Sequence, residues 1–423
     1  MKKIVFLILT LFFITYEVSY ADELNLSGEA AILIDADTGQ ILYEKNPHMK
    51  LHPASTTKIM TGILAIELGK LDDIVTVDDE VVRLTDGSHI ALEPDERLKF
   101  EDLLYALMIE SANDSALAIA KHISGSIDEF VNLMNEKAKE LGALNTNFIN
   151  PNGLSHENHL TTAYDLSLIA QYAMKNQLFR EIVSNYTYTI PATNKKDEER
   201  YLKSNNRLLY STIRINVDGN SVPIKYEGAN GIKTGYTQAA QNCLVASANR
   251  GNQNLIAVVL KANGREVFAD VHKLFNYGFN NFAKANIAIK NYFIENIEVE
   301  NGIIPIVAGV IKEDLFATIP KGTMDNIEKK ISIKEEIIAP VEKGEVLGKV
   351  EYYLDGQLLG QADIVSTMDI EEIPPPSIAE ILMSKWYLLL IGLIIFVRII
   401  IMVKRTKNRR RRRALYKVPN SFH

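Results

Sequence analysis

The sequence contains a single cysteine, Cys243, and no group of cysteine and histidine residues with the spacing of metal ligands. One thiol excludes an internal disulfide, so the hydrophobic core alone must stabilise the fold. Cys243 begins a strand-like apolar segment, residues 243–248, which favours a small buried hydrophobic side chain over a nucleophile. We therefore predict no metal site and no cofactor.

Positive charge is outnumbered by negative charge outside the two ends of the chain. The formal net charge is −7, and it becomes −17 when Lys2, Lys3 and the eight lysines and arginines of residues 404–413 are left out. A body this acidic repels polyanions, which argues against nucleic acid as a partner. Charged residues make up 23% of the chain and hydrophobic residues 47%, a globular balance that excludes disorder over most of its length.

An apolar run near the N-terminus indicates a targeting segment. Lys2 and Lys3 precede the apolar residues 4–14, and the small residue Ala21 suits a cleavage site before Asp22. The pattern predicts a signal peptide over residues 1–21. An uncleaved membrane anchor is the alternative, and it is disfavoured because the run is shorter than the ~20 residues that span a bilayer.

A second apolar run near the C-terminus predicts a transmembrane helix over residues 386–403. The run is apolar except for Arg398, and a linker with three consecutive prolines, residues 371–385, precedes it. The basic residues 404–423 follow as a tail, which the positive-inside rule assigns to the cytoplasm, with everything before Trp386 outside. A nucleic-acid-binding arm is the alternative for the tail, but the preceding span already explains the arginines.

Between these segments the pattern predicts an α+β domain over residues 22–284 and a small all-β domain over residues 285–370. Apolar runs around Asp37-Thr-Gly39 predict an N-terminal hairpin, and residues 243–249 and 255–260 predict two later strands. The middle is helical, and residues 271–281 predict a closing helix. We expect one antiparallel sheet built from both ends of the first domain.

Three short motifs follow one another in the first domain: Ser55-Thr-Thr-Lys58, Ser111-Ala-Asn113 and Lys233-Thr-Gly235. A serine hydroxyl needs a base, and on a helix the spacing from Ser55 to Lys58 places both side chains on one face. A lysine serves as that base only when burial or a second cation lowers its pKa, and Lys233 is a candidate cation. A helix N-cap is the alternative explanation for Ser55.

The other two motifs predict substrate contacts. Ser111 lies in a break between helical stretches, where it is suited to pass a proton between Lys58 and a leaving nitrogen, while Asn113 offers an amide donor and acceptor. The ammonium of Lys233 and the hydroxyl of Thr234 suit a substrate carboxylate, and Gly235 allows substrate backbone to approach as an added strand. The structural alternatives are that Ser111 and Asn113 cap backbone groups and that Lys233 is an ordinary exposed lysine at a turn. The order of the three motifs favours serine acyl transfer with a lysine base.

Longer strings around the motifs resemble the low-molecular-mass penicillin-binding proteins that act as serine D-Ala-D-Ala carboxypeptidases and carry a C-terminal β domain. The resemblance covers about residues 25–370, and the strings that carry it are residues 87–94, 150–154, 159–165 and 231–236. It implies a β-lactamase/penicillin-binding-protein-like transpeptidase fold with a helical middle and an antiparallel sheet. It also implies a bacterial cell membrane location.

The resemblance further implies the site residues and their partners. Ser55, Lys58 and Ser111 would be catalytic, and Asn113, Lys233, Thr234, Gly235 and Tyr236 would bind substrate. The backbone N–H groups of Ser55 and Tyr236 would form an oxyanion hole. The substrate would be a peptidoglycan stem peptide ending in D-Ala-D-Ala, and β-lactam antibiotics would acylate Ser55.

The sequence departs from the family pattern at two places. Tyr236 follows Gly235 where some members have histidine, and Arg207 is offset from the position at which some members place an arginine near the substrate carboxylate. A β-lactamase and a DD-endopeptidase use the same site, and a non-catalytic wall-binding protein is a further alternative. The intact motifs argue against the last of these, and the β domain and membrane segment argue against a lactamase.

Overall fold

The computed structural model describes residues 24–415 and divides them into two compact units. The first comprises residues 24–287 with Phe316–Ile327 and Leu354–Gln357, and the second comprises Ala288–Leu315, Glu328–Tyr353 and residues from Leu358 onward. The predicted signal peptide lies outside the described residues.

The described helices are α1 (Lys58–Leu68), α2 (Asp79–Leu84), α3 (Phe100–Ile109), α4 (Asn113–Ser124), α5 (Ile127–Glu140), α6 (Ala163–Lys175), α7 (Gln177–Ser184), α8 (Glu266–Asn281), α9 (Ile378–Ser384) and α10 (Trp386–Leu415). Short 3₁₀ turns occupy Ala54–Thr57, Arg207–Leu209 and Met324–Asn326.

The described strands are β1 (Ala30–Asp35), β2 (Ile41–Lys45), β3 (Ile74–Thr76), β4 (Arg97–Lys99), β5 (Thr187–Ile190), β6 (Arg200–Lys203), β7 (Arg214–Val217), β8 (Asn220–Pro223), β9 (Ala229–Thr237), β10 (Gln241–Arg250), β11 (Gln253–Ala262), β12 (Phe282–Ala288), β13 (Phe293–Glu298), β14 (Ile306–Ile311), β15 (Leu315–Pro320), β16 (Glu328–Ile333), β17 (Val346–Leu354) and β18 (Gln357–Ser366).

A five-stranded antiparallel sheet organises the first unit, in the order β2-β1-β11-β10-β9. The N-terminal hairpin therefore pairs with strands that follow the helical middle of the domain. This confirms the expected α+β fold with one sheet built from both ends of the domain. Strand β9 lies at one edge of this sheet, so its outer backbone groups face away from β10.

Alternate residues of the central strands pack into two separate hydrophobic cores, one on each face of the sheet. Ile32 and Ile34 pack with the helices α1 to α7, whereas Ala31 and Leu33 pack on the opposite face with α8. The period of two is that of a strand buried on both faces. The result is a three-layer unit in which the sheet separates one helix from the helical middle.

Most helices agree with the sequence patterns, and two differ in a way that matters for the site. The side chain of Thr162 caps α6 by accepting the N–H of Asp165 at 3.0 Å. Helix α8, however, begins at Glu266 rather than at residue 271, because β11 ends at Ala262 and a turn at Gly264 leads directly into it. Ser55 lies in a 3₁₀ turn before α1, not in an α-helix.

The second unit contains a five-stranded sheet in the order β13-β14-β18-β17-β16, which confirms the predicted all-β domain. Residues after its last strand are extended through the prolines and then form the short helix α9, which a Ser377–Glu380 capping box begins. The following helix α10 is long and apolar enough over Trp386–Arg412 to cross a membrane, by length and composition. It continues beyond the predicted span into the basic tail.

A buried carboxylate joins the start of the domain to α8. Asp270 accepts hydrogen bonds from the N–H of Ser27 at 3.0 Å, the Ser27 hydroxyl at 2.8 Å and the N–H of Gly28 at 2.9 Å. Because Asp270 is buried, water cannot easily take its place as the acceptor for these donors.

We predict that Asp270→Asn lowers the free energy of unfolding by about 1–3 kcal/mol, because an amide turns a donor toward donors that need an acceptor. Thermal unfolding of the full chain in detergent, followed by circular dichroism, measures the change. Asp72→Asn, at an exposed position, is the matched control. Equal melting temperatures for the two variants would contradict the anchoring role.

Candidate active site

Ser55 lies in the tight turn that leads into α1. In a 3₁₀ turn the side chains three residues apart eclipse one another, so Ser55 and Lys58 meet more directly than on an α-helix. The Nζ atom of Lys58 lies 3.1 Å from the hydroxyl oxygen of Ser55. The contact predicted from the motif is therefore present, although the local geometry differs from the one expected.

The amine of Lys58 is fully buried and has two further partners. It donates to the Oδ1 atom of Asn113 at 2.6 Å and to the backbone carbonyl of Asn152 at 2.5 Å. A neutral amine has two N–H groups and one lone pair. With both N–H groups held by these oxygens, the lone pair is left for the hydroxyl proton of Ser55.

Burial is the main reason that the pKa of Lys58 is well below its usual value. The charge of Lys233 lowers this pKa further, and the carboxylate of Asp114 acts in the opposite direction. Asp114 is itself buried and accepts backbone N–H groups of Ile90, Leu92 and Ser115. The environment thus favours the neutral amine that a general base requires.

Ser111 and Asn113 occupy the break between α3 and α4. Ser111 has a left-handed φ of +65°, which turns the chain between the two helices and brings its side chain to the cleft that also contains Ser55. Asn113 differs from the expectation of an open substrate amide, because Lys58 occupies its Oδ1 atom and its Nδ2 atom donates to the carbonyl of Asp86. One N–H of that amide is left for a ligand.

Lys233 is buried in β9, and burial lowers its pKa to about 7. Its Nζ atom donates to the carbonyl of Thr234 at 3.0 Å, and the carboxylate of Glu110 acts to raise its pKa. Lys233 is therefore close to the balance between charged and neutral forms at neutral pH. A substrate carboxylate would favour the charged form.

Gly235 lines the cleft that contains Ser55, and it also leaves room for the chain itself. A Cβ atom at this position would lie 2.9 Å from the backbone nitrogen of Ser55 and 3.0 Å from the carbonyl oxygen of Pro53. The space above Gly235 is thus taken by the chain itself, and the close approach fixes Ser55 against β9. The backbone of Tyr236 follows directly, and its side chain is 65% exposed.

The loop of residues 150–154 supports Ser55 from the other side. Gly153 has a φ of +87°, and a Cβ atom there would lie 2.0 Å from the carbonyl oxygen of Ala54. The side chain of Asn150 closes the loop by accepting the N–H of Gly153 at 2.7 Å, and the hydroxyl of Thr61 donates to the carbonyl of Pro151 at 2.6 Å. The sequence marked this segment only through its resemblance to the family.

His159 is buried behind the turn and remains neutral. Its Nδ1 atom accepts the N–H of Ile149 at 3.0 Å, so its Nε2 atom carries the proton and donates to the hydroxyl of Thr57 at 2.8 Å. Burial lowers the pKa of His159 to about 3. The imidazole therefore holds the turn that carries Ser55 and has no free nitrogen to act as its base.

A cleft of about 500 Å³ opens in front of these groups, lined by Ser55, Ser88, Ser111, Asn205, Arg207, Thr234, Gly235, Tyr236, Asn242, Cys243, Gly264, Arg265, Val267 and Phe268. Arg207 lines this cleft, although its sequence position left its role open. Arg265 was missed, because the start of α8 was expected further along the chain. Cys243 borders the cleft as a buried thiol whose pKa burial raises to about 12.

A larger cavity of about 660 Å³ lies at the other end of β10, beside Ser247 and Asn249. It contains none of the motif residues. The smaller cleft is therefore the candidate active site, because Ser55, Ser111, Thr234 and two arginines line it.

Comparisons with known proteins agree with this geometry. Residues 17–264 match the family model described as D-alanyl-D-alanine carboxypeptidase, and residues 282–372 match the model of the C-terminal domain of penicillin-binding protein 5. The chain is 34% identical to D-alanyl-D-alanine carboxypeptidase DacF of Bacillus subtilis, over 86% of this chain and 91% of the relative. It is 32% identical to the carboxypeptidase DacC of Escherichia coli, over 82% and 85% of the two chains.

Solved structures lead to the same result. Penicillin-binding protein 5 from Haemophilus influenzae superposes with a TM-score of 0.69 at 29% identity, covering 82% of this chain and 98% of that one. The resemblance drawn from the sequence motifs is confirmed. The chain belongs to the D-alanyl-D-alanine carboxypeptidase family and carries the C-terminal domain of the penicillin-binding protein 5 type.

Proposed function

We propose that this protein removes the terminal D-alanine of peptidoglycan stem pentapeptides through an acyl-enzyme on Ser55, with Lys58 as the base. The observation that carries the proposal is the pair formed by the Ser55 hydroxyl and the buried Lys58 amine at 3.1 Å. A lysine with a lowered pKa beside a serine is the arrangement that activates such a hydroxyl. The family supplies the substrate class.

Acylation begins when the Ser55 oxygen attacks the carbonyl carbon between the two D-alanines. The hydroxyl proton moves to the lone pair of Lys58, and the carbonyl becomes an oxyanion. The backbone N–H groups of Ser55 and Tyr236 are the proposed donors to this oxyanion, and Gly235 supports the assignment because it holds the two segments together. One such donor typically contributes about 2.7–4 kcal/mol to transition-state stabilisation.

Collapse of this intermediate breaks the C–N bond and requires a proton on the leaving amine. Ser111 lines the cleft beside Ser55, so we assign it the transfer of the proton from Lys58 to the nitrogen of departing D-alanine. The result is an ester on Ser55 and a neutral Lys58. A water molecule then attacks the ester with Lys58 again as base, which releases the shortened peptide and restores the hydroxyl.

The positive side chains around the cleft suit the terminal carboxylate of the substrate. Lys233 and Thr234 stand on the edge strand β9, and Arg207 and Arg265 line the same cleft. Hydrogen bonds between cationic donors and a carboxylate are stronger than those between neutral groups. Cationic groups that bind a terminal carboxylate favour removal of the last residue of the peptide. An endopeptidase would instead cleave a cross-link between two peptides, although the part of the substrate that acylates the serine is the same.

We further propose that α10 spans the bacterial cell membrane once, with the catalytic unit outside and the basic tail in the cytoplasm. The apolar helix and the lysines and arginines that follow it support this orientation. Peptidoglycan lies on the outer side, so the orientation places the cleft where its substrate occurs. The predicted signal peptide of residues 1–21 is part of this proposal.

We predict that Ser55→Ala abolishes both D-alanine release from a pentapeptide and the covalent penicillin adduct. The loss should be at least about 10³-fold, because the nucleophile is removed. Mass spectrometry of penicillin-treated protein locates the adduct, and Ser184→Ala, at an exposed position of α7, is the control. Undiminished release by the Ser55 variant would contradict the assignment, and rapid turnover of nitrocefin by the unchanged protein would favour a β-lactamase.

The pH dependence of the activity should reflect the protonation of Lys58 and Lys233. Lys58 acts when neutral, so activity is lost as pH falls through its pKa, and the positive charge of Lys233 keeps that pKa low. We predict that Lys233→Gln moves the acidic limb of kcat to higher pH. The pKa of about 7 for Lys233 also predicts an alkaline limb in kcat/KM of the unchanged protein, and the variant should lack it.

Pentapeptide kinetics between pH 5 and about 10 measure both limbs. Lys225→Gln removes an exposed lysine elsewhere in the unit and should leave the profile in place. An acidic limb that stays fixed, or moves to lower pH, in the Lys233 variant would show that the two amines are not coupled.

The membrane orientation predicts unequal protection from protease. In intact protoplasts an added protease should degrade the catalytic unit and leave an epitope on the basic tail intact, because only the outer side is accessible. Lysed protoplasts, in which both sides are accessible, are the control. Loss of the tail epitope from intact cells would reverse the proposed orientation.

A further inference from the structure

The basic end of α10 is a dense and fully exposed group of cations. Seven of the nine residues 404–412 are lysine or arginine, and each of them is exposed. Residues 381–423 contain no aspartate or glutamate, so the sequence offers these cations no acidic neighbour on the same segment. We call residues 404–412 the basic collar.

The length of the helix places this collar at the membrane surface. The apolar residues 386–403 rise about 27 Å as an α-helix, close to the ~30 Å thickness of a hydrocarbon core. Lys404 then lies at the edge of the core, and Arg412 lies about 12 Å further along the axis. The collar therefore passes through the layer of lipid headgroups, which extends the bilayer to about 40–45 Å in total.

The direction of helical side chains favours contact with this layer. Cα–Cβ bonds in an α-helix tilt toward its N-terminus, which for α10 is the side of the membrane. The long side chains of Arg409, Arg410, Arg411 and Arg412 thus lean back toward the headgroups, as snorkelling residues do. A short unstructured tail would impose no such direction.

The cations also surround the helix instead of forming one stripe. Successive residues turn by about 100°, so seven cations in nine positions leave no side of the collar without charge. The hydroxyl of Thr406 donates to the carbonyl of Met402, which satisfies this side chain within the helix. A ring of cations suits a ring of separate small anions better than one extended binding partner on a single face.

We propose that the basic collar binds anionic phospholipid headgroups on its own side of the membrane and gathers them around α10. The inference rests on the membrane orientation proposed above and concerns no residue of the catalytic cleft. Guanidinium groups bind phosphate through two parallel N–H donors, which suits a phosphatidylglycerol headgroup. Basic segments next to a membrane span are attracted to anionic lipids in this way.

The experiment compares the lipids that contact the helix in vesicles. The full chain is reconstituted in phosphatidylcholine, and spin-labelled phosphatidylglycerol or phosphatidylcholine is added as the probe. Electron spin resonance then gives the fraction of each probe that the protein immobilises. We expect a preference of about threefold or more for phosphatidylglycerol, which falls in high salt because the attraction is electrostatic.

A set of charge variants separates the collar from net charge. Substituting glutamine for Arg409, Arg410, Arg411 and Arg412 removes four of the seven cations and should lower the preference by about half, and substituting lysine for the same four should retain it. The matched control substitutes glutamine for four exposed lysines of the second unit, Lys290, Lys329, Lys330 and Lys343. This control changes the net charge equally and should leave the preference unchanged.

The outcomes distinguish the proposals from one another. Equal immobilisation of the two probes by the unchanged protein, or an undiminished preference in the glutamine variant, would overturn the lipid site. Tight binding of duplex DNA by the collar without any lipid preference would overturn it in favour of a nucleic-acid partner. Failure to immobilise any lipid would refute the membrane span itself, and pentapeptide hydrolysis, measured alongside, tests the catalytic proposal independently.

Discussion

Two lysine amines are buried close enough to influence each other, and the rest of the catalytic unit is arranged around that constraint. Moving an ammonium group out of water costs several kcal/mol even after the protein relaxes. Two such charges in one site are still less favourable, and the pKa of Lys58 is accordingly far below its usual value. The cost is partly offset by oxygens from two separate segments: Asn113 and the more distant Asp114 belong to α4, and Asn152 belongs to the loop of residues 150–154.

Backbone also approaches closely around Ser55, which lies beside one of these amines. The turn that carries Ser55 is held between Gly235 of β9 and Gly153 of the loop of residues 150–154, and neither position has room for a Cβ atom. His159 holds the same turn through the hydroxyl of Thr57. A serine fixed from three directions keeps its hydroxyl within reach of one amine, and this pre-arrangement accounts for much of what positioning contributes to catalysis.

Sequence patterns predicted the fold well where a physical period was strong. The apolar runs of β1, β10 and β11 gave elements close to the observed ones, because such runs depend on neighbours along the chain. The start of α8 was misplaced, since a short turn after β11 leaves little sequence signal, and Arg265 was missed with it. The substrate role suggested for the Asn113 amide is narrower in the structure, where Lys58 and Asp86 already occupy most of it.

By itself the sequence determined the chemistry of the site and the order of its parts. Three motifs in sequence predict a serine nucleophile, a lysine base and a cationic strand, and an apolar run followed by arginines predicts an anchor, because these properties belong to residue types and spacings. Only the tertiary structure decided which lysine amine contacts Ser55, which glycine makes room for the chain itself and which arginines line the cleft. Burial, close packing and charge coupling depend on residues far apart in sequence, so no local pattern contains them.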